Sequence, residues 1–166
     1  MMHLFLPLLA PLILLATALV ASRTPGLRPG NLPKLAEIAA LGAFVVAILS
    51  AVALWANGPG TSDLIGVAGI GISVRLDAVS AIMLLLVSFI GWIVMRFSAT
   101  YMDGEARQGA FVGWMSTALA SVLLLVMSGN LVQVLFAWAA TSLALNQLLL
   151  FYPERTTAVR AARKRR

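Results

Sequence analysis

The sequence predicts an all-α integral membrane protein, with about five helices crossing the bilayer. Three observations carry this reading. Hydrophobic residues fill 61% of the 166 positions and charged residues only 11%, whereas a water-soluble domain runs at about 25% charged. The polar residues gather in short clusters between long apolar runs, so the surplus apolar surface has lipid as its natural solvent. Of the 12 basic residues, 11 fall in three segments that share one side if there are five spans.

A spanning helix needs roughly 20 mainly apolar residues, because the hydrocarbon core is about 30 Å thick and each helical residue rises about 1.5 Å. Five runs qualify: 4–21, 35–56, 78–95, 110–128 and 131–152. The first is followed by Pro25, Gly26, Pro29, Gly30 and Pro33, a loop composition, and Pro33 suits the start of the second helix. Asn57-Gly58-Pro59-Gly60 ends that helix. Asp77 is placed to cap the third, with its carboxylate near the helix N-terminus and Ser80 three residues on. Asp103-Gly104-Glu105 separates the third from the fourth. Ser128-Gly129-Asn130 is a tight turn that makes the last two helices antiparallel neighbours, and Pro153 stops the fifth.

Between the second and third spans the period changes. Ile70, Ile72, Val74 and Leu76 alternate with Gly71, Ser73 and Arg75, and period two argues for a strand. Ile65 and Val67 precede them, with Gly66 and Gly69 to permit a turn, so a small extracytoplasmic β-hairpin is expected over 64–76. The glycines do not make the dinucleotide-binding pattern G-x-G-x-x-G, and no βαβ unit surrounds them.

Orientation follows from Lys and Arg, which concentrate on the cytoplasmic side. Arg23, Arg28 and Lys34 follow the first span; Arg96 and Arg107 flank the third loop; six more fill a tail over 153–166. The other side holds Arg75. The expectation is therefore an outside N-terminus and a basic tail inside. Ala16-Thr17-Ala18 resembles a signal-cleavage site, but Met1-Met2-His3 carries no Lys or Arg and the basic residues come after the apolar run. That is the charge order of a retained anchor.

The composition also bounds the chemistry. There is no cysteine, which removes disulfides and thiolate metal sites, and a single histidine, His3, which is placed at the interface. The net charge of +6 sits beside lipid rather than on a nucleic-acid-binding face, so no nucleic-acid partner is expected. Neither a cofactor nor a catalytic residue is expected in this chain. Polar groups within the spans are the functional candidates, since burying them in lipid is costly. Glu37 reads as a carboxylate in the first turn of the second helix, three residues from Lys34. Asp77 reads either as a cap or as an acid that holds a cation at the membrane entrance. In the fifth span Trp138, Ser142 and Asn146 recur every four residues on one face, with Thr141 beside them. Asn146 lies about 7 Å from the span's midpoint. That face serves either helix–helix adhesion or a hydrophilic ion path. Small residues (Ala39, Gly42 and Ala43; Gly113, Ser116 and Ala120) allow close approach of helices, and Trp55, Trp92 and Trp114 are read as interface anchors.

Several stretches resemble a known family. Val74-Arg75-Leu76-Asp77-Ala78-Val79-Ser80, Tyr101-Met102-Asp103, Ser128-Gly129-Asn130-Leu131 and Phe136-Ala137-Trp138 are similar to the antiporter-like membrane subunits of respiratory complex I, of the subunit L type. The run from Trp138 through Leu145, with Leu149-Leu150-Phe151-Tyr152-Pro153-Glu154-Arg155 and Ala161-Ala162-Arg163-Lys164, looks most like the DabB-type subunit of the energy-coupled inorganic carbon pump. The resemblance covers roughly 64–166 by residue and the first two spans by hydrophobic layout. It implies the N-terminal part of a transport subunit in a bacterial cytoplasmic (inner) membrane, without enzymatic activity of its own. That subunit would be partnered by a DabA-type zinc subunit and driven by a cation gradient, with the zinc in the partner. An antiporter-like subunit of NADH-quinone oxidoreductase, or of a multi-subunit Na+/H+ antiporter, is the alternative that the resemblance leaves. Two departures stand out. Complex I relatives carry an acid after the tryptophan of the fifth span, where this chain has Ala139, and DabB-type sequences commonly carry histidine where it has Asn146.

Overall fold

A computed structural model describes residues 2–24, 30–67, 70–102 and 107–150. The predicted tail over 153–166, the end of the fifth span beyond 150, the Asp103-Gly104-Glu105 break, Gly69 and the loop residues 25–29 lie outside the described residues, as does the side chain of His3.

Among the described residues, five helices are long and apolar enough to cross a membrane. A 3₁₀ stretch, Met2–Leu8, leads into α1 (Leu9–Arg23); α2 is Leu32–Asn57, α3 Ala78–Tyr101, α4 Gln108–Val126 and α5 Leu131–Leu149. Two boundaries differ from expectation by about a turn or more. α2 begins at Leu32 rather than 35, with Pro33 in its first turn, where a missing N–H costs nothing. α3 runs on to Tyr101 rather than 95, because Arg96 is tolerated at the end of a span, where its long side chain reaches out of the apolar region. Gly58 closes α2 at φ +78°, a conformation that favours glycine, and its N–H donates to the Leu54 carbonyl.

The packing is uneven. α1 rests on α2, α2 on α3, α3 on α4 and α4 on α1, so these four close a ring, whereas α5 packs mainly on α4 and touches the hairpin. Small residues make the ring tight. Ala36, Ala39, Ala40, Ala43 and Ala47 of α2 are buried, and a Cβ built on Gly113 of α4 would come within 3.2 Å of Ala21 Cβ on α1. Two core hydroxyls satisfy themselves within their own helices: Ser50 donates to the Val46 carbonyl at 2.8 Å and Ser88 to the Leu84 carbonyl at 2.6 Å. Phe44, Phe89 and Trp92 form an aromatic cluster between α2 and α3, with centroids 5.4 to 6.4 Å apart. Trp92 therefore lies inside a helix–helix contact, well within the lengthened α3, and is not an end anchor; Trp55, 92% exposed near the end of α2, suits that role.

The expected hairpin is present and starts earlier than 64. β2 (Ile65–Val67) pairs antiparallel with β3 (Ile70–Ile72), and below this tip β1 (Gly60–Thr61) pairs with β4 (Arg75–Leu76). The predicted alternation holds in β4, where Leu76 is buried and Arg75 exposed, and breaks at Ser73, which is buried and separates β3 from β4. The bundle thus has a hairpin end and an opposite basic end where Lys34, Arg96 and Arg107 lie.

Candidate functional site

At the hairpin end the chain is clamped by hydrogen bonds between segments about 60 residues apart. The Ser73 N–H donates to Gln133 Oε1 (2.9 Å), the Gly129 N–H to the Ser73 carbonyl (2.8 Å) and the Arg75 N–H to the Met127 carbonyl (2.9 Å). Asn130 does two jobs. Its Oδ1 accepts from the Gln133 N–H (2.7 Å), which caps α5, and its Nδ2 donates to the Gly71 carbonyl (3.0 Å). Gly129 has no alternative here: a Cβ would meet Ser73 Oγ and lie 3.1 Å from the Ser73 carbonyl oxygen.

Asp77 sits just beside this clamp. Its Oδ1 accepts from the Ser80 N–H (2.8 Å), and Ser80 Oγ accepts from the Asp77 N–H (2.8 Å), a reciprocal capping box at the start of α3. Oδ2 accepts from Arg75 Nε at 2.9 Å. The Ser80 N–H first, and the Arg75 guanidinium second, hold the Asp77 carboxyl below its ordinary value. All these partners are structural, so in this chain Asp77 acts as a cap.

Ser142 and Asn146 lie elsewhere. Asn146 is fifteen residues along α5 from Leu131, about 22 Å at the helical rise, so it forms no common site with Asp77. Ser142 is exposed and Asn146 half-buried, and among the described residues neither side chain makes a hydrogen bond. Thr141 is satisfied by the Ala137 carbonyl at 2.8 Å. α5 is the least covered of the five helices, with 17% of its span buried, and Trp138 is 62% exposed on the same face. Between α4, α5 and β3 runs an apolar groove of about 430 Å³ lined by Ile72, Leu124, Gln133, Phe136 and Ala140. Gln133 Nε2 is buried beside it without a partner among the described residues.

Glu37 departs from its sequence reading. It lies in the second turn of α2, and its Oε1 is 3.8 Å from Arg96 Nε of α3; Arg96, rather than Lys34, is its ion-pair partner. Among the described residues no three His, Asp or Glu side chains converge, so they contain no ligand set for a metal. Gln133 was missed from sequence, although Asn130-x-x-Gln133 before an apolar run is a helix-start pattern that could have found it.

Fold and site together define a multi-pass helical membrane protein with a closed four-helix body and a sparsely covered fifth helix. The comparisons with known proteins narrow the class. The sequence model of the family described as NADH-ubiquinone oxidoreductase (complex I), chain 5 N-terminus matches residues 65–112, the hairpin through the start of α4. The chain is 36% identical over 93 residues to the probable inorganic carbon transporter subunit DabB of Hydrogenovibrio crunogenus, a stretch covering 55% of this chain and 18% of that protein. It is 34% identical over 101 residues to DabB2 of Halothiobacillus neapolitanus, covering 59% and 18%. It is 34% identical over 88 residues to NADH-ubiquinone oxidoreductase chain 5 of Acanthamoeba castellanii, covering 53% and 13%. The likeness to antiporter-like subunits and to DabB, expected from the motifs, is borne out, and it falls on a piece: the chain covers less than a fifth of the length of these relatives.

Proposed function

We propose that this chain is part of the membrane subunit of an energy-coupled inorganic carbon transporter, seated in a bacterial inner membrane with its N-terminus outside. In that role it anchors a separate DabA-type zinc subunit and helps couple it to a cation gradient, a proton gradient in the simplest case. The observation that carries the reading is the similarity to two DabB proteins, at 36% identity over 93 residues and 34% over 101. The uncovered face of α5 supports it, because a lipid-facing Ser142 and Asn146 would leave polar groups unsatisfied, and a partner helix or a hydrated path relieves that. Co-expression with an affinity tag tests the proposal. A zinc-bearing partner should co-purify, and deletion should abolish bicarbonate uptake and growth at ambient CO2. Unimpaired growth at ambient CO2 would sink it. A reporter fused after Arg166 should be active only in the cytoplasm.

The complex I match favours a second reading, an antiporter-like subunit of NADH-quinone oxidoreductase. Ala139, in place of an acid after Trp138, counts against it, since proton transfer through the membrane needs a titratable group. Loss of NADH-driven proton pumping on deletion would decide for it.

A further inference from the structure

At the basic end, α2, α3 and α4 enclose a cleft of about 490 Å³ lined by Pro33, Lys34, Glu37, Arg96, Thr100 and Gln108. Its charge is positive by one, from two cations and one acid. Two helices begin at its rim, α2 at Leu32 and α4 at Gln108, and neither has a side-chain cap on its N-terminal amides. Such amides carry partial positive charge and want an acceptor. Gln108 is 98% buried, at 2% exposure, yet among the described residues nothing hydrogen-bonds its amide, which borders the cleft. What exposure the residue keeps is at the cleft, so an acceptor there would give its amide a partner.

Along the outer face of α3 lies a second groove, of about 490 Å³, lined by Ile93, Arg96, Phe97, Thr100 and Tyr101. Arg96 and Thr100 belong to both. The groove is apolar; Phe97 is 67% and Tyr101 74% exposed, with their rings stacked at 5.7 Å. Arg96 stands at the junction. Its guanidinium lies 6.0 Å from the centre of the Trp92 ring, and its Nε faces Glu37, so the remaining N–H groups of the fork are left for a ligand.

We propose that this pair of cavities is a site for an anionic phospholipid of the leaflet at the basic end. The phosphate sits among Lys34, Arg96, Gln108 and the two helix N-termini, and an acyl chain lies against Phe97 and Tyr101. A free phosphate would use the cleft but not the groove, and the apolar groove that shares Arg96 and Thr100 with the cleft is what selects a lipid. The proposal is independent of which transporter the chain serves.

The test is native mass spectrometry and thermal unfolding of the purified chain in neutral detergent, with phosphatidylglycerol, phosphatidylcholine or inorganic phosphate added separately. Phosphatidylglycerol should bind and raise the unfolding midpoint, and phosphatidylcholine should not. Lys34→Gln and Arg96→Gln should each weaken phosphatidylglycerol binding roughly fivefold, in line with the usual attraction of one basic residue to anionic lipid. Both side chains reach the surface, so the fold should survive, which unchanged helicity would check. Phe97→Ala should weaken lipid binding while leaving both cations in place. Equal binding of the two lipids, undiminished binding by the Lys34→Gln/Arg96→Gln double variant, or a matching shift from inorganic phosphate alone would each overturn the proposal.

Discussion

The two polar regions of this membrane protein treat their hydrogen bonds in opposite ways. At the hairpin end, Ser62, Ser73, Asn130 and Gln133 bond to one another or to backbone groups of other segments, and Asp77 caps its own helix α3. On the outer face of α5, Ser142 and Asn146 bond to nothing among the described residues. Polar groups at membrane depth cost free energy unless they are paired. The first set is therefore committed to holding this chain together, and on the proposed reading the second is left for something outside it. Substitutions in the two regions should separate along that line, with stability lost at the clamp and assembly lost at α5.

Gly129→Ala is the most severe break. The new Cβ meets Ser73 Oγ and the Ser73 backbone, which cannot retreat because Ser73 is also held by Gln133. A cost of about 3 kcal/mol is expected for forcing a methyl into packed backbone, read as loss of helicity at lower denaturing-detergent fraction. Gln133→Ala comes next, at about 2 kcal/mol, because it strands the buried Ser73 N–H. If Gln133→Ala were neutral, the clamp would be ornamental and the contrast between the two regions would fail.

Asp77→Ala should cost about 1 kcal/mol, the usual worth of a helix N-cap. Its pH dependence has a definite sign. The folded-state pKa is lowered, by the Ser80 N–H and then by Arg75, so the carboxylate's contribution is complete above the unfolded value near 4 and is lost as pH falls through the lower, folded value. Wild type and Asp77→Ala should differ by a constant amount at neutral pH and converge in acid. The Arg75–Asp77 pair itself is on the surface, with Arg75 64% exposed, and should add little.

The sequence made one of these regions far more legible than the other. The five spans, the cap at Asp77, the turn at Ser128-Gly129-Asn130 and the hairpin are local patterns of period, glycine and capping chemistry, and they stand in the structure close to where the residues put them, the late end of α3 at Tyr101 being the largest departure. What was not legible is long-range. Nothing near Gly129 says that its Cβ would strike Ser73, and nothing near Glu37 says that Arg96 is its neighbour. Trp92 was misplaced for a related reason: an arginine four residues on reads as the end of a span, whereas α3 carries it inside the helix. The polar stripe of α5 was visible at four-residue spacing, but whether another helix of this chain covers it is a question of packing, which spacing does not answer.

The smallest expected effect is at that stripe, and it decides whether the face is held open. Ser142→Cys should change stability by less than about 0.5 kcal/mol, because the hydroxyl has no partner to lose. The chain contains no cysteine, so the introduced thiol is the only target for a maleimide. Ala144, two residues away and fully buried, supplies the contrast: Ala144→Cys should stay unreactive in the folded chain, while Ser142→Cys reacts in detergent. Assembly with the proposed partner should then protect Ser142→Cys if the face is a dry helix contact. If the face lines a hydrated path, the thiol should stay reactive toward a small charged reagent and block transport once modified. A thiol that never reacts in the isolated chain would mean that α5 is already covered, and the polar face would then belong with the clamp, as one more way in which this chain holds itself together.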